Sequence, residues 1–341
     1  CGYWDRDAGS MHVFEYATAE TMNCKVCGYV HTHTFGDWQS SATEHWKNCT
    51  KLYRDSNGKI AQAEYGEKTP HTFDKTGVCT QCGYQKELTA EDGVYLIYDL
   101  ADLWLFAAKV NGDEPSANAR LMADIDLEKQ HWTPMGTDTK PYTGTFDGNG
   151  KALTGFRTSA TENNTGLFGV VNGGTVKNFS LDGGIIVNTA DKIHIGSVAG
   201  AAKGGAAFSG IESSVVIIGS TVVVKHVGGI VGSSQFGSDG LLIEKCTFSG
   251  NILVQGSGDC IGGILGYANY GVTIRDCAST GQVYGESGAL YVGGILGYIN
   301  SASFGGLTGC YATGKISSGF GIGYIRNCAA NTVYNNCHMA G

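Results

Sequence analysis

The 341-residue chain has only four prolines and five tryptophans, and neither residue occurs beyond Pro141. Charged residues make up 16%, and no run of eighteen apolar residues is present, which excludes a hydrophobic membrane-spanning helix. The start shows no basic stretch followed by an apolar one, so no secretory leader is legible there. Basic residues are in deficit: the net charge is −8, with nine basic against eleven acidic residues in 1–88 and fourteen against twenty afterwards. Neither part has the basic stripe that nucleic acid or an anionic bilayer demands, so no nucleic-acid partner and no membrane insertion are expected. Also missing are His-Glu-x2-His, Gly-x-Ser-x-Gly and a phosphate-cradling glycine loop.

What the chain does have is glycine and cysteine, unevenly placed. Fifteen of the 53 glycines fall in residues 1–163 and 38 in 164–341. That later density, without proline but interleaved with Val, Ile, Leu and Tyr, fits neither a linker nor collagen. The composition divides the chain into a cysteine-rich region (1–88), an entry segment (89–163) and a repeat array (164–341).

Residues 1–88 contain three units that open on His-x-Phe: His12-Val-Phe14 leading to Cys24 and Cys27, His33-Thr-Phe35 leading to Cys49, and His71-Thr-Phe73 leading to Cys79 and Cys82. The middle unit has Leu52 in place of its second cysteine, but His45 lies four residues before Cys49. A His-x3-Cys pair supplies two ligands as a Cys-x2-Cys knuckle does, because each short loop aims two side chains at one point. Cys24, Cys27, His45 and Cys49 are therefore the leading candidates for a closed tetrahedral zinc site. Cys79 and Cys82 need two more ligands, with His71 the nearest. A rival pairing joins Cys1 to Cys24 and Cys27, and His45 with Cys49 to Cys79 and Cys82. Disulfides or reduced thiols are the alternative to metal. In each case the role is structural, because a segment so poor in apolar residues needs staples. Cys1-Gly2-Tyr3 repeats the ending of the Cys-x2-Cys-Gly-Tyr knuckles, which suggests a piece of a larger protein; a lipid-modified cysteine is the other reading.

In the entry segment, Tyr95–Ile97 reads as a strand, and Asp99 as the N-cap of a helix through Val110 whose Leu100, Leu103, Trp104 and Ala107 share a face. Asn111-Gly112 ends it. Residues 120–127 alternate as a strand, and Phe146-Asp-Gly-Asn-Gly150 signals a turn. This segment is expected to cap the open edge of an array. Asp124, Asp126 and Asp147 are calcium-ligand candidates, although turn chemistry accounts for them too.

The array repeats short glycine-flanked cores: Gly166-Leu-Phe-Gly169, Gly196-Ser-Val-Ala-Gly200, Gly228-Gly-Ile-Val-Gly232, Gly262-Gly-Ile-Leu-Gly266, Gly293-Gly-Ile-Leu-Gly297 and Gly319-Phe-Gly-Ile-Gly323. A second mark follows each: Phe179, Ser214, Cys246, Cys277, Cys310 and Cys337. A period near 31 of short β-branched runs predicts one solenoid coil per unit, about six coils in all, with the marks forming an inward, space-filling column. The expected fold is all-β, a parallel β-helix. These cores resemble the GLUG repeats of large secreted or wall-attached bacterial proteins. Asp124-Ile-Asp-Leu127, Trp132-Thr-Pro-Met-Gly136 and Gly144–Gly150 resemble the segment that precedes such repeats. The Cys-x2-Cys-Gly-Tyr units resemble zinc-ribbon-like modules of the same proteins. The resemblance implies an extracellular location and adhesin-like roles, some members carrying a separate peptidase domain.

The array's eight acids are Asp182, Asp191, Glu212, Asp239, Glu244, Asp259, Asp276 and Glu286, dispersed except where Glu244 and Asp276 are expected to stack in adjacent coils. The expectation is thus a non-catalytic surface protein, monomeric, for adhesion or display toward a host glycan or protein. Tyr267, Tyr270, Tyr298 and Tyr324 are the candidate binding platform, with core packing as the competing account. A polysaccharide-active lyase or glycosidase and a stalk bearing a distant catalytic domain are the alternatives.

Overall fold

A computed structural model describes residues 68–159, 163–188, 191–219, 224–235, 240–255, 258–269, 271–285, 291–300 and 305–316. It also describes 35–49 and short strand pieces at 3–4, 11–12, 14–16, 21–24, 30–32, 52–54, 60–62, 324–325, 334–335 and 338–339. The chain forms two compact units, Cys1–Glu87 and Leu88–Gly341.

The larger unit is a parallel β-solenoid of about five turns, with one helix among the described residues. Four sheets run along it among the described residues, because successive coils place strands over one another. The longest sheet passes from Val94–Ile97 through Asn118–Leu121, Thr145–Thr154, Thr175–Asp182, Ala207–Ser213, Leu242–Glu244 and Thr273–Arg275 to Gly306–Thr308. Two five-stranded sheets begin at Arg157–Ser159 and Asn164–Thr165, and a six-stranded sheet begins at Phe168–Asn172. In-register parallel pairing, with strands ~4.8 Å apart, lays like over like. One inward file is Val176, Phe208, Ile243, Ile274 and Leu307, each the register partner of the next and each buried. Apolar columns of this kind supply the core's stability, at roughly 25 cal/mol for every Å² of apolar surface removed from water.

The entry segment is already part of this sheet. Thr145–Thr154 pairs in parallel with Thr175–Asp182, so the coils begin upstream of the glycine-flanked repeats. Residues 120–127 form two strands, Asn118–Leu121 and Ile125–Asp126, separated where Met122 N–H turns to Ile97 O. The expected turn at 146–150 is a bulge inside one long strand: Asp147 Oδ1 accepts Asn149 N–H at 2.9 Å, and the register slips between Asp147 and Lys151.

The helix is Leu100–Asn111. Asp99 caps it by accepting Asp102 N–H at 2.9 Å, and Gly112 N–H closes its end on Ala108 O and Lys109 O. Leu103, Phe106, Ala107 and Val110 are buried, and the Phe106 ring meets those of Tyr142 and Phe146 in the first coils. Leu100 and Trp104 lie on the margin of that contact. On the same end, Ala90–Glu91 pairs antiparallel with Val94–Ile97 and covers the edge of the first strand.

The glycine-flanked cores join two sheets whose backbones approach directly. A Cβ on Gly228 would collide with Val231 O, and one on Gly266 with Val227 O. Only hydrogen fits between the layers.

A second periodic feature runs down the long sheet. Asn149, Asn178, Gly210, Lys245, Asp276 and Gly309 all have φ between 52° and 64°, one left-handed corner per coil. From Asn178 onward, the residue after each of these corners turns inward. Pairing of the residues that follow sets Phe179, Ile211, Cys246, Cys277 and Cys310 in one column. Ser214 is not in it: its Oγ accepts Gly183 N–H at 2.7 Å, three residues further on. Ser214 and Cys246 each lie 14 residues beyond the closing glycine of their core, and that coincidence concealed the offset. Each thiol points at carbonyls of its own and the preceding coil, Cys277 Sγ lying 3.3 Å from Arg275 O and 3.6 Å from Ile243 O. The adjacent thiols and burial push Cys277 and Cys310 well above the ordinary cysteine range, so these are packing residues and not nucleophiles. Cys337 lies outside the described residues.

Candidate functional site

In the smaller unit the chain brings two histidines and two cysteines to one point. His45 lies on the strand Glu44–Cys49, which pairs antiparallel with Thr69–Pro70, Thr69 opposite His45. Two residues beyond Thr69 comes His71. Phe73 bridges Cys79, and the knuckle turns at Gly83, φ 74°, to present Cys82. The four ligand atoms lie within 4.8 Å of one another. His45 Nδ1 is 3.2 Å from His71 Nδ1 and 3.6 Å from Cys79 Sγ, while Cys82 Sγ is 3.4 Å from His71 Nδ1.

The surrounding hydrogen bonds settle which nitrogen faces inward. His45 Nε2 is 2.6 Å from Gln81 Oε1, and His71 Nε2 is 3.0 Å from Ser41 O. These carbonyl oxygens accept from Nε2, with the Thr69 hydroxyl also 3.0 Å from His45 Nε2, and both Nδ1 atoms point into the cluster. Tyr84 stacks on the His71 ring at 4.7 Å and Trp38 meets the His45 ring edge-on at 4.7 Å, fixing the orientations. Burial pushes the Cys79 thiol up, but backbone N–H groups of Cys82 and Gln81, with His71 and Cys82, outweigh it and bring its pKa to about 6. Burial and the neighbouring Cys79 push Cys82 up. One thiolate thus forms more readily than the other. The cluster is a His2Cys2 set able to hold a metal ion.

Among the sequence candidates, His45, His71, Cys79 and Cys82 come together, which combines His71 as the nearest ligand with the rival pairing's placement of His45 beside Cys79 and Cys82. His45 joins the third unit's knuckle, not a Cys24/Cys27/His45/Cys49 set, because antiparallel pairing with Thr69–Pro70 carries it there. Cys24 and Cys49 lie on strands, opposite Phe14 and Phe35, with side chains outside the described ones. Cys27 lies outside the described residues.

In the solenoid, Tyr267, Tyr298 and Tyr324 occupy successive register positions of the six-stranded sheet. Tyr270 and the Tyr324 side chain lie outside the description. Tyr267 stacks on His226 at 4.2 Å and 9°, and on Tyr298 at 5.7 Å and 19°; Tyr298 is 7% exposed. His226 in turn stacks on His194, with Nδ1 atoms 2.9 Å apart. The ring faces are occupied by one another along the solenoid axis, leaving edges at the surface. A face-on sugar platform is therefore not what these two tyrosines offer. Periodicity exposed the tyrosine column but not the histidines, which sit on the adjacent sheet in register positions above Asn164.

The carboxylates stay dispersed among the described residues. Glu244 stacks over Arg275, accepting its Nε–H at 2.6 Å, while Asp276 sits at the next left-handed corner. The expected Glu244–Asp276 pair does not form, because the two positions differ by one residue in register. Asp124, Asp126 and Asp147 accept backbone N–H groups of Ala152, Glu128 and Asn149, which is turn and bulge chemistry.

No protein-family model matches the sequence, and no curated protein does. Solved structures do share the fold. One is described as a "putative immunoglobulin A1 protease" from Bacteroides ovatus: 20% identity, TM-score 0.50, over 75% of this chain and 87% of that one. Another is named IgA1 protease: 16% identity, TM-score 0.51, over 86% of this chain but only 23% of that one. The expectation of a non-enzyme is corrected here, since both structures carry the name of a protease. At these identities the likeness itself establishes the fold. No helix among the described residues is long and apolar enough to cross a membrane.

Proposed function

We propose that this chain is the β-solenoid segment of a secreted or surface-exposed bacterial protein that takes part in proteolysis of a host immunoglobulin. In this reading the solenoid engages or positions the substrate and the smaller unit is stapled by zinc. The observation that carries it is the fold likeness that extends over 87% of the Bacteroides ovatus structure. The glycine-flanked repeats, which resemble those of secreted bacterial proteins, support the extracellular setting. Regular coils also suit the role physically, since stacked rungs make a stiff surface extended along one axis.

Zinc is favoured by the ligand distances. Zn–N of about 2.0 Å and Zn–S of about 2.3 Å in a tetrahedron place two nitrogens about 3.3 Å apart and a nitrogen about 3.5 Å from a sulfur. The observed 3.2 Å, 3.4 Å and 3.6 Å match that set. Four protein ligands close the coordination sphere, so the ion is structural.

The test is incubation of the purified chain with human immunoglobulin A1, read by surface plasmon resonance for binding and by mass spectrometry for new fragments. Saturable binding or a defined cleavage product supports the proposal. Neither at micromolar concentration sinks it.

A further inference from the structure

We propose that a cleft beside the helix end, between Asn111, residues 133–139 and Asn164, binds one pyranose ring of an oligosaccharide through adjacent hydroxyl groups. The cleft encloses about 340 Å³, at the small end of the ~300–1,000 Å³ of small-molecule pockets, enough for one sugar ring with part of a second. It lies in the solenoid unit.

Its walls are tied before any ligand arrives. Asn111 Nδ2 donates to Pro134 O at 3.1 Å, and Asn111 Oδ1 accepts Gly136 N–H at 2.8 Å. Thr137 and Lys140 close a turn on each other, Lys140 N–H reaching Thr137 Oγ1 at 3.0 Å. Gly136, φ 77°, is wedged against Val170 O and Tyr142 N, where no side chain fits.

The polar groups left over are acceptors. Asn164 is 6% exposed, and its Nδ2 donates to Asp138 Oδ1 at 2.9 Å. A carboxylate only accepts, which fixes the amide so that Oδ1 is the free atom, and Asn164 Oδ1 is buried without a hydrogen-bond partner. A buried acceptor left unmade costs about 1–3 kcal/mol in general, and Asn164 is one of the residues that line the cleft. Asp138 itself is exposed. Pro134 adds an apolar wall, while Thr137 and Thr139 present hydroxyls. Two acceptors, flexible hydroxyls and an apolar surface complement a pyranose ring, whose hydroxyls donate from the rim and whose C–H groups form an apolar face. A planar amide and a carboxylate side by side suit two neighbouring hydroxyls.

The test is a glycan array carrying both free polysaccharides and protein-linked glycans, followed by titration calorimetry of the whole chain with the best ligand. Asp138→Ala is expected to weaken binding at least tenfold and Thr139→Val several-fold, with binding compared at a temperature where circular dichroism shows both variants folded, because Asp138→Ala also leaves the buried Asn164 Nδ2 without its acceptor. Asp138→Asn keeps an acceptor and retains most of the affinity for a neutral sugar. A free or a protein-linked glycan each supports the site, and the array arms distinguish them. No glycan bound, or affinity unaltered in Asp138→Ala, overturns it. So does calcium or a lysine-bearing peptide binding in its place, with Asp138→Asn abolishing that binding. Immunoglobulin A1 cleavage is measured separately, so failure of either proposal leaves the other standing.

Discussion

The Nδ1 atoms of His45 and His71 face each other at 3.2 Å, turned inward by the bonds their Nε2 atoms make. Two ring nitrogens and two sulfurs converge in a site where His45 is fully buried. The arrangement is able to hold a metal ion.

Metal content follows directly. His45→Ala and Cys82→Ser should each lower zinc, measured by inductively coupled plasma mass spectrometry on protein purified without added metal, by about one ion per chain. Protons compete for Cys79 and Cys82, so acid or a strong chelator should release the ion. Unaltered zinc in both variants would falsify the His2Cys2 assignment.

The buried histidine pair predicts how stability depends on pH. Burial, with the Lys225 charge, holds His194 down at about 4; burial, His194 and Lys225 hold His226 down at about 3. The folded state thus refuses protons that the unfolded chain, with histidine near 6.5, accepts. Stability is fully present above about pH 7 and is lost as pH falls from 6.5 toward 3–4. At pH 5 the loss is about 2 kcal/mol per histidine as an order of magnitude. Thermal melts at pH 7.5 and pH 5 check this, and His194→Phe combined with His226→Phe should flatten the difference. An equal pH dependence in the double variant would count against the pair.

At the left-handed corners the predicted sign is opposite to the usual effect of glycine. Lys245, φ 52°, is an exposed side chain in a conformation that costs L-residues roughly 1 kcal/mol. Lys245→Gly should raise stability by up to about 1 kcal/mol in a urea titration. Gly266→Ala, whose Cβ would strike Val227 O, should lower it by several times as much.

The thiol column predicts chemical silence. Cys246, Cys277 and Cys310 are 0–1% exposed. They should resist a thiol-specific aromatic disulfide reagent in the native state and react only after unfolding in guanidinium. Fast native labelling of all three, located by peptide mapping, would contradict the inward packing.

Much of this was legible in the residues. The period near 31, the glycine-flanked cores and the absence of long amphipathic stretches specified a solenoid, because a coil needs short β runs and corners that only glycine enters freely. Asp99 and Gly112 marked the helix ends, because capping is local chemistry. His71 with Cys79 and Cys82 followed from knuckle spacing. Registration between coils was not legible. A shift of one residue separates Glu244–Arg275 from the expected Glu244–Asp276, and only the hydrogen-bond ladder chooses between them. Ile211 replaced Ser214 in the inward column for the same reason.

The sequence by itself determined a β-solenoid with a cysteine-rich unit before it, since periodicity and composition act through local geometry. The tertiary structure alone decided that His45 completes the third knuckle, that His194 and His226 extend the tyrosine stack, and that Asp138 meets Asn164. Each of these joins residues 26 to 41 positions apart, brought together by strand pairing or by the return of the coil. Sequence spacing carries no record of which long-range partner a strand selects.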